Sequence, residues 1–234
     1  MKGFNMLRRF PPVLAVLIFA LATVYWLFQP APFSPVADFD LPFSANAEGS
    51  DASGTENSDP VISDMFLGPE DAPITVIEYA SFTCPHCATF HKDVYKSLKK
   101  KYIDTNKIKF VFREVYFDKY GMWASLVARC AGKDKFFGLA DMIMKTQNKW
   151  ARAENDLAIV DELSKIGRLA GLEEAQLQSC LQDGEKLRSL VGWYKENATR
   201  DKVKSTPSFI IDGQPYANMS YDEFSKLLDE KLGS

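Results

Sequence analysis

Two of the four cysteines stand two residues apart, in the tetrapeptide Cys84-Pro85-His86-Cys87. Cysteines at this spacing can close a disulfide with little movement of the backbone, and a thiolate at the first turn of a helix is stabilised by the unpaired N–H groups there. Cys84 is therefore the expected reactive thiol. Cys87, one turn further along, is expected to be shielded and to resolve mixed disulfides. The spacing indicates thiol–disulfide exchange.

The two residues between the cysteines influence the direction of exchange. His86 can offer a hydrogen bond or a positive charge to the Cys84 thiolate, which favours the reduced state and makes the disulfide a stronger oxidant. Pro85 suits the first turn of a helix, where its missing N–H costs nothing. The tetrapeptide therefore favours a site that donates its disulfide.

Two other interpretations of the cysteine pair stay open. An isolated C-x-x-C can be a structural disulfide or a pair of inert thiols. A metal site is the second alternative, because His91 follows Cys87 at a spacing that brings three ligand side chains close together. The sequence offers neither a fourth ligand nor a second C-x-x-C. We therefore expect no metal, and no cofactor besides the redox-active disulfide between Cys84 and Cys87.

The chain around the tetrapeptide has the pattern of a strand followed by a helix. A β-branched run at residues 74–80 predicts a buried strand that ends shortly before Cys84. From Pro85 to about residue 101 the apolar residues recur at helical spacing. A second apolar run at residues 108–115 predicts another strand. Together these elements form a strand-helix-strand unit that positions the cysteines at a helix N-terminus.

These predicted strands contain four charged residues, of which Glu78, Arg113 and Glu114 are considered for a role. Glu78 is either a residue of the solvent face or a buried proton relay near the resolving cysteine, and we favour the relay because its strand should be central and covered on both faces. Arg113 and Glu114 lie side by side in the next strand, where a solvated face is preferred over a local charge pair between them.

In the second half of the chain, the spacing of the apolar residues changes. Residues 119–202 show helical spacing and predict several helices. Two short β-rich runs follow, joined by Asp212-Gly213, which is a strong signal for a two-residue hairpin. At the C-terminal end the apolar residues again recur at helical spacing, which predicts a final helix. The predicted order is β-α-β, a helical insertion, and then β-β-α.

Thr206-Pro207 lies directly before the first strand of that hairpin. A proline at this position either starts the strand with an ordinary trans bond or forms a cis peptide bond, and both possibilities stay open.

The two remaining cysteines, Cys130 and Cys180, lie in the helical block. Outside the cytoplasm such cysteines usually pair, and a bridge between them would close a long loop and add about 2–4 kcal/mol of stability in the chain-entropy model. We expect a structural disulfide. Two separate buried thiols stay open as the alternative, because sequence does not reveal the Cα separation.

The N-terminus indicates export. Lys2, Arg8 and Arg9 precede an apolar run at residues 10–28, and acidic residues dominate the chain that follows. The run is about long enough to cross a bilayer, so a membrane anchor is favoured over a cleaved signal peptide, which stays open. Residues 29–59, rich in Pro, Ala, Ser and Asp, predict a flexible linker. The rest of the chain is then expected in an oxidising compartment.

Composition narrows the possible partners. The chain has 234 residues, of which 46% are hydrophobic and 25% charged, so it can bury the core of one medium domain. Its formal net charge of -3 is spread along the chain without a long basic run. Nucleic acid is therefore not an expected partner.

Taken together, these motifs resemble the bacterial DsbA-like family of thioredoxin-fold proteins. The resemblance rests on the Cys-Pro-His-Cys motif, on Glu78 before it and on Thr206-Pro207 after the helical block. It implies an α/β, thioredoxin-like fold with an inserted helical domain. The implied boundaries are 60–118 for the first part of the thioredoxin-like domain, 119–202 for the helical insertion and 203–234 for the second part.

The resemblance also implies a role for each motif residue. Cys84 is the attacking or accepting cysteine, Cys87 resolves, and His86 tunes the reactivity of the pair. Glu78 relays protons. In the thioredoxin arrangement a cis proline faces the disulfide and leaves the preceding backbone free to pair with an extended substrate segment. The residues that would line the substrate groove are Pro85, Thr206 and Pro207.

The function implied by the resemblance is the introduction of disulfides into reduced exported proteins in the periplasm. A quinone-linked membrane oxidase of DsbB type would reoxidise the protein, and a monomer is expected. No separate dimerisation domain is expected before the fold, which argues against the isomerase type. Thr206 replaces the valine of the best-known oxidases and is also found in isomerase-type relatives. An isomerase or reductase kept reduced is therefore the alternative, followed by a non-enzymatic metal-binding or substrate-binding module.

Overall fold

The computed structural model describes residues 60–233. The predicted signal peptide or anchor at residues 10–28 and the predicted linker at 29–59 lie outside the described residues. Among the helices of residues 60–233, none combines the length and apolar character needed to span a bilayer.

A five-stranded mixed sheet forms the centre of the described part of the chain. Its strands are β1 (Met65–Leu67), β2 (Ile74–Ala80), β3 (Ile108–Glu114), β4 (Ser208–Ile211) and β5 (Gln214–Ala217). The order across the sheet is β1-β3-β2-β4-β5, with β2 and β3 parallel and the other neighbours antiparallel. The strand that leads into the cysteine motif is thus the central one, as the sequence predicted.

Helices cover the sheet and form the insertion. Helix α1 is one continuous helical run of four segments, α-helical Pro85–Phe90, π-helical His91–Tyr95, α-helical Lys96–Leu98 and π-helical Lys99–Ile103. The insertion contains α2 (Lys119–Cys130), α3 (Lys133–Lys145), α4 (Gln147–Trp150), α5 (Asp156–Leu169), α6 (Glu174–Leu181) and α7 (Gly184–Arg200), and α8 (Tyr221–Leu232) follows the hairpin. The predicted α/β fold class and order of elements are confirmed. Only β1 was missed, because three residues are too few to show a period.

Both faces of the sheet are buried. On one face, apolar residues of β2, β3 and β4 pack against α1 and α8, and the rings of Phe90, Phe209 and Phe224 contact one another in tilted and edge-to-face arrangements. On the other face, Tyr79 and Ile210 form a smaller cluster that reaches α7. Each fully buried large apolar side chain contributes about 1.5–3 kcal/mol. The sheet is therefore a rigid support for the loop that follows β2.

The predicted hairpin between β4 and β5 is confirmed. Asp212 and Gly213 both have positive φ, 48° and 79°, as a type I′ turn requires. The Asp212 carboxylate also accepts a hydrogen bond from the Thr75 backbone N–H at 3.0 Å, which ties the turn to β2. Ser220 and Glu223 form a reciprocal capping box at the start of α8.

The expectation of a solvated face at Arg113 and Glu114 is wrong. Both side chains are buried. Arg113 donates two hydrogen bonds to Asp64, both at 2.9 Å, and one to Asp201 at 3.1 Å. Glu114 accepts from Arg129 at 2.5 and 2.7 Å. The partners come from distant parts of the chain, so no local pattern could have revealed that this end of β3 is covered.

Candidate functional site

Both motif cysteines lie at the N-terminus of α1. Cys84 is the N-cap residue, with extended backbone, and Pro85 occupies the first turn after it. Cys84 retains 8% of its surface exposed, whereas Cys87 is fully buried. Both are free thiols in this structure. The arrangement gives one accessible sulfur and one shielded sulfur, the asymmetry that disulfide exchange needs.

The surroundings of the two thiols shift their pKa values in opposite directions. A hydrogen bond from the Cys87 thiol, with smaller ones from the Thr206 side chain and the backbone N–H groups of Cys87 and His86, lowers the pKa of Cys84 to about 5, although burial acts against this. Burial raises the pKa of Cys87 well above its ordinary value, helped by its contact with Cys84 and by the charge of Glu78. At neutral pH the reduced site therefore holds a thiolate at Cys84 and a thiol at Cys87.

The Thr206-Pro207 peptide bond is cis and lies against the motif. The Cys84 thiol donates a hydrogen bond to the Thr206 carbonyl oxygen at 3.4 Å. Pro207 is buried, and Thr206 is half-buried. The structure thus brings the second predicted motif to the nucleophilic sulfur, across a sequence distance of more than a hundred residues.

Thr206→Val is expected to raise the pKa of Cys84, because valine has nearly the same shape but cannot donate a hydrogen bond to the thiolate. In the wild type the thiolate should form as pH rises through about 5. We expect the midpoint to move upward by about 1 pH unit, which corresponds to the loss of one charge-assisted hydrogen bond. The thiolate absorbance of the reduced protein, followed against pH, measures both values. Thr206→Ser keeps the hydroxyl and should titrate like the wild type; if it instead follows the valine variant, the hydroxyl is not the cause.

His86 and Pro85 are both exposed at the surface of the motif. The interaction that the structure shows between His86 and Cys84 is through the His86 backbone N–H. Tuning by the imidazole stays a prediction. Pro85 lines a cavity of about 240 Å³, whose lining also includes Thr83, Asp118, Tyr120, Gln147 and Arg152.

Glu78 is fully buried beneath the motif and pairs with His91. The His91 Nε2 atom lies 3.0 and 3.2 Å from the two carboxylate oxygens of Glu78. His91 is 2% exposed, and its Nδ1 atom has no hydrogen-bond partner. In the Nε2–H tautomer, this nitrogen would donate its hydrogen to the Glu78 carboxylate. The predicted location of Glu78 near the resolving cysteine agrees with its effect on the pKa of Cys87; its proton relay stays a prediction.

The metal interpretation gains no support from this arrangement. The Nε2 atom of His91 is engaged by Glu78. Within residues 60–233, no three side chains of the metal-ligating types are grouped as a metal ion would require.

Sequence reasoning missed the residues that hold the motif loop. The Thr83 hydroxyl donates to the Asp118 carboxylate at 2.7 Å, and Asp118 also caps α2 by accepting from the Gly121 N–H at 2.9 Å. Gln147 reaches the same loop from α4. Asp118, as an N-cap type before a helical run, carried a recognisable signal. Gln147 carried none.

Cys130 and Cys180 form a disulfide within the helical insertion. The S–S distance is 2.11 Å and the Cα atoms are 5.8 Å apart. The bond joins the end of α2 to α6, and both cysteines are half-buried. The second pair of cysteines is therefore structural in position and separate from the exchange motif.

Comparison with known proteins agrees with this geometry. A family model described as Thioredoxin matches residues 61–230. A Rickettsia prowazekii protein named as a protein-disulfide oxidoreductase is 37% identical over 170 residues, which cover 72% of this chain and 61% of that protein. A Bacillus cereus protein named as a disulfide bond formation protein D is 30% identical over 176 residues, 71% of this chain and 77% of that protein.

A solved structure extends the likeness to three dimensions. The crystal structure of Wolbachia pipientis alpha-DsbA1 aligns with a TM-score of 0.67 at 27% identity, covering 74% of this chain and 93% of that one. The alignment with the Rickettsia prowazekii protein spans less than two thirds of that protein's own length. On these matches, and on the fold and cysteine motif described above, the chain belongs to the thioredoxin superfamily, in its DsbA-like family of thiol:disulfide oxidoreductases.

Proposed function

We propose that this protein introduces disulfide bonds into exported proteins by donating a disulfide formed between Cys84 and Cys87. The observation that carries the proposal is the opposite shift of the two thiol pKa values, to about 5 at Cys84 and upward at Cys87. A stabilised Cys84 thiolate favours the reduced form of the pair and makes the Cys84 sulfur a good leaving group. Both effects drive the disulfide from the protein to its substrate.

The proposed disulfide donation consists of two thiol–disulfide exchange steps, in which the electrons balance. A substrate thiolate attacks the Cys84 sulfur of the oxidised protein, forming a mixed disulfide and releasing Cys87, which takes up a proton. A second substrate thiol loses its proton and attacks the substrate sulfur of the mixed disulfide, and Cys84 leaves as a thiolate. The substrate is oxidised by two electrons, and the Cys84–Cys87 pair is reduced by two.

The buried pair beneath the motif supports the proton step at Cys87. Glu78 is close enough to influence the pKa of Cys87, and His91 holds its carboxylate at 3.0 Å. Cys87 itself is shielded from water, so the proton it takes up must pass through the protein or a bound water. Glu78 is the proposed relay for it.

The substrate is proposed to bind along the Thr206-Pro207 side of the motif. A cis proline beside the reactive sulfur presents the neighbouring backbone for pairing with an extended polypeptide. Recognition through main-chain groups is tolerant of sequence, which suits an enzyme with many substrates. Reduced, unfolded exported proteins fit that description.

The proposed location rests on the N-terminal sequence. The basic and apolar leader at residues 1–28 supports a periplasmic location, either anchored to the membrane or released from it. A DsbB-like quinone-linked membrane oxidase is the proposed electron acceptor, and the protein is proposed to act as a monomer. The names of the relatives support action on protein disulfides.

The reduction potential tests the proposal against an isomerase or reductase. We expect the Cys84–Cys87 pair, equilibrated with glutathione buffers, to have a potential less negative than about −180 mV, because the thiolate stabilises the reduced form. The fraction of oxidised protein, read by thiol alkylation and mass, gives the value. A potential near about −270 mV, typical of thioredoxin, would rule out the oxidase function and favour a reductase.

A further inference from the structure

Gln147, the first residue of α4, reaches out of the helical insertion to the backbone of the motif loop. Its side chain is 5% exposed. The Nε2 atom donates to the Phe82 carbonyl at 2.8 Å and to the Cys84 carbonyl at 2.9 Å. An amide nitrogen carries two hydrogens, so both are used here. The two carbonyl groups belong to the residues on either side of Thr83, and the second of these residues, Cys84, carries the reactive sulfur.

These hydrogen bonds fix the backbone of the segment from Phe82 to Cys84. Cys84 is the extended N-cap of α1, with φ −82° and ψ 118°, and its carbonyl also accepts the first helical hydrogen bond, from the Ala88 N–H at 3.2 Å. This conformation directs the sulfur to the Thr206 carbonyl and to the N–H groups of the first turn. Gln147 is thus positioned to hold the geometry in which a thiolate is stabilised.

The same contacts also change the local electrostatics. A carbonyl oxygen is the negative end of a peptide dipole, and one lies on the Cys84 residue itself. The amide hydrogen that Gln147 donates to the Cys84 carbonyl places positive charge against that oxygen, which reduces its repulsion of a negative sulfur. Because the contact is buried, solvent weakens this effect little.

We propose that Gln147 is a positioning residue through which the helical insertion stabilises the Cys84 thiolate. The inference rests on the proposed function, in which that thiolate is the leaving group of the second exchange. In the structure Gln147 acts only through the backbone and makes no hydrogen bond to the sulfur.

Other ionisable groups surround the motif and must stay unchanged in a test. They are Glu78 from β2, His86, Cys87 and His91 from α1, Asp118 and Tyr120 at the start of α2, and Arg152 after α4. A neutral substitution at Gln147 alters none of them. It therefore separates the hydrogen bonds of Gln147 from any change in charge.

The experiment is a pH titration of the Cys84 thiolate in the reduced full-length protein. Gln147→Met keeps a similar volume without donors and is expected to raise the midpoint by about 1 pH unit, which means about tenfold less thiolate at pH values below the midpoint. Gln147→Glu removes the donors and adds a negative charge, so its midpoint should rise at least as far. Asn148→Asp adds the same charge at the exposed neighbouring residue of the same cavity while keeping Gln147. Its midpoint should rise less than that of either Gln147 variant.

The possible outcomes are distinguishable. A Gln147→Met midpoint equal to that of the wild type would overturn the proposal and leave Gln147 as a tie between the insertion and the loop. Equal midpoints for Asn148→Asp and Gln147→Glu would do the same, since charge alone would explain the shift. If the methionine variant does not fold, Gln147→Asn, whose amide is one methylene short of the carbonyls, is judged by the same criterion. Failure of the wild type to oxidise a reduced test protein would refute the proposed function without changing the thiolate comparison.

Discussion

Cys84→Ser is expected to slow the oxidative refolding of a reduced test protein to the rate seen without added protein. Serine cannot form the disulfide that is donated, and Cys87 cannot replace Cys84 because it is fully buried with a raised pKa. Recovery of activity of a disulfide-containing test enzyme measures the effect. Circular dichroism of the variant tests whether the fold is intact, as expected when one thiol is replaced by a hydroxyl of similar size.

Cys87→Ser is the matched control, because it leaves the accessible sulfur in place. This variant is expected to form a stable mixed disulfide between Cys84 and glutathione when treated with glutathione disulfide, since the resolving thiol is absent. Intact mass shows the adduct. Full refolding activity of the Cys84→Ser variant, or an adduct on a cysteine other than Cys84, would contradict the assigned roles.

Arg129→Met is expected to destabilise the protein by about 3–5 kcal/mol, because it leaves a buried carboxylate without its counter-charge. Arg129 is 5% exposed and donates to both carboxylate oxygens of Glu114, which is 1% exposed. A third hydrogen bond, to the Ser63 carbonyl at 3.2 Å, ties the segment before β1 to α2. Denaturant unfolding of the wild type and the variant measures the free energy of unfolding.

Two further variants make this prediction specific to burial. Adding Glu114→Gln to the Arg129 variant removes the isolated charge and should restore most of the lost stability. Lys165→Met breaks an exposed pair with Asp161 and Glu162 and should change the free energy of unfolding by less than about 1 kcal/mol. A double variant less stable than Arg129→Met alone would show that the loss does not come from the unpaired Glu114.

The parts of the fold that the sequence predicted are those with local signals. Strand β2 shows as a β-branched run, and the first turn of α1 shows as the cysteine pair with Pro85 between. The hairpin shows as Asp212-Gly213, the residue types that accept positive φ at both turn positions. In each case the residues that determine the structure are neighbours in the chain, so a pattern in the sequence can contain them.

The parts that the sequence could not predict depend on pairs of distant residues. Arg113 reads as a surface charge until Asp64 and Asp201 are brought beside it by β1 and by the end of α7. Gln147 reads as an ordinary helix residue until α4 is placed against the loop of Cys84. Their roles come from the packing of the insertion on the sheet, which no single-sequence period encodes.

His91 lies between these two cases. Its position four residues after Cys87 suggested a shared ligand face, and the two side chains do share the buried face of α1. The face is turned to β2, however, where Glu78 engages the imidazole at 3.0 Å. The spacing of Cys87 and His91 therefore predicted that they share one face of α1. It could not predict that Glu78 is the partner of His91, because Glu78 lies on another element.

The Cys130–Cys180 bond has a consequence for the biogenesis of the protein. On the proposed export route, each new copy would leave the cytoplasm with four thiols, and the insertion would reach the described structure only after Cys130 and Cys180 had been oxidised. Under the proposed function, the protein would then need for its own folding the same kind of oxidation that it carries out on its substrates. Its yield would fall in a cell whose oxidising capacity had been exhausted, so a shortage of oxidant would reduce the supply of catalyst as well as its turnover.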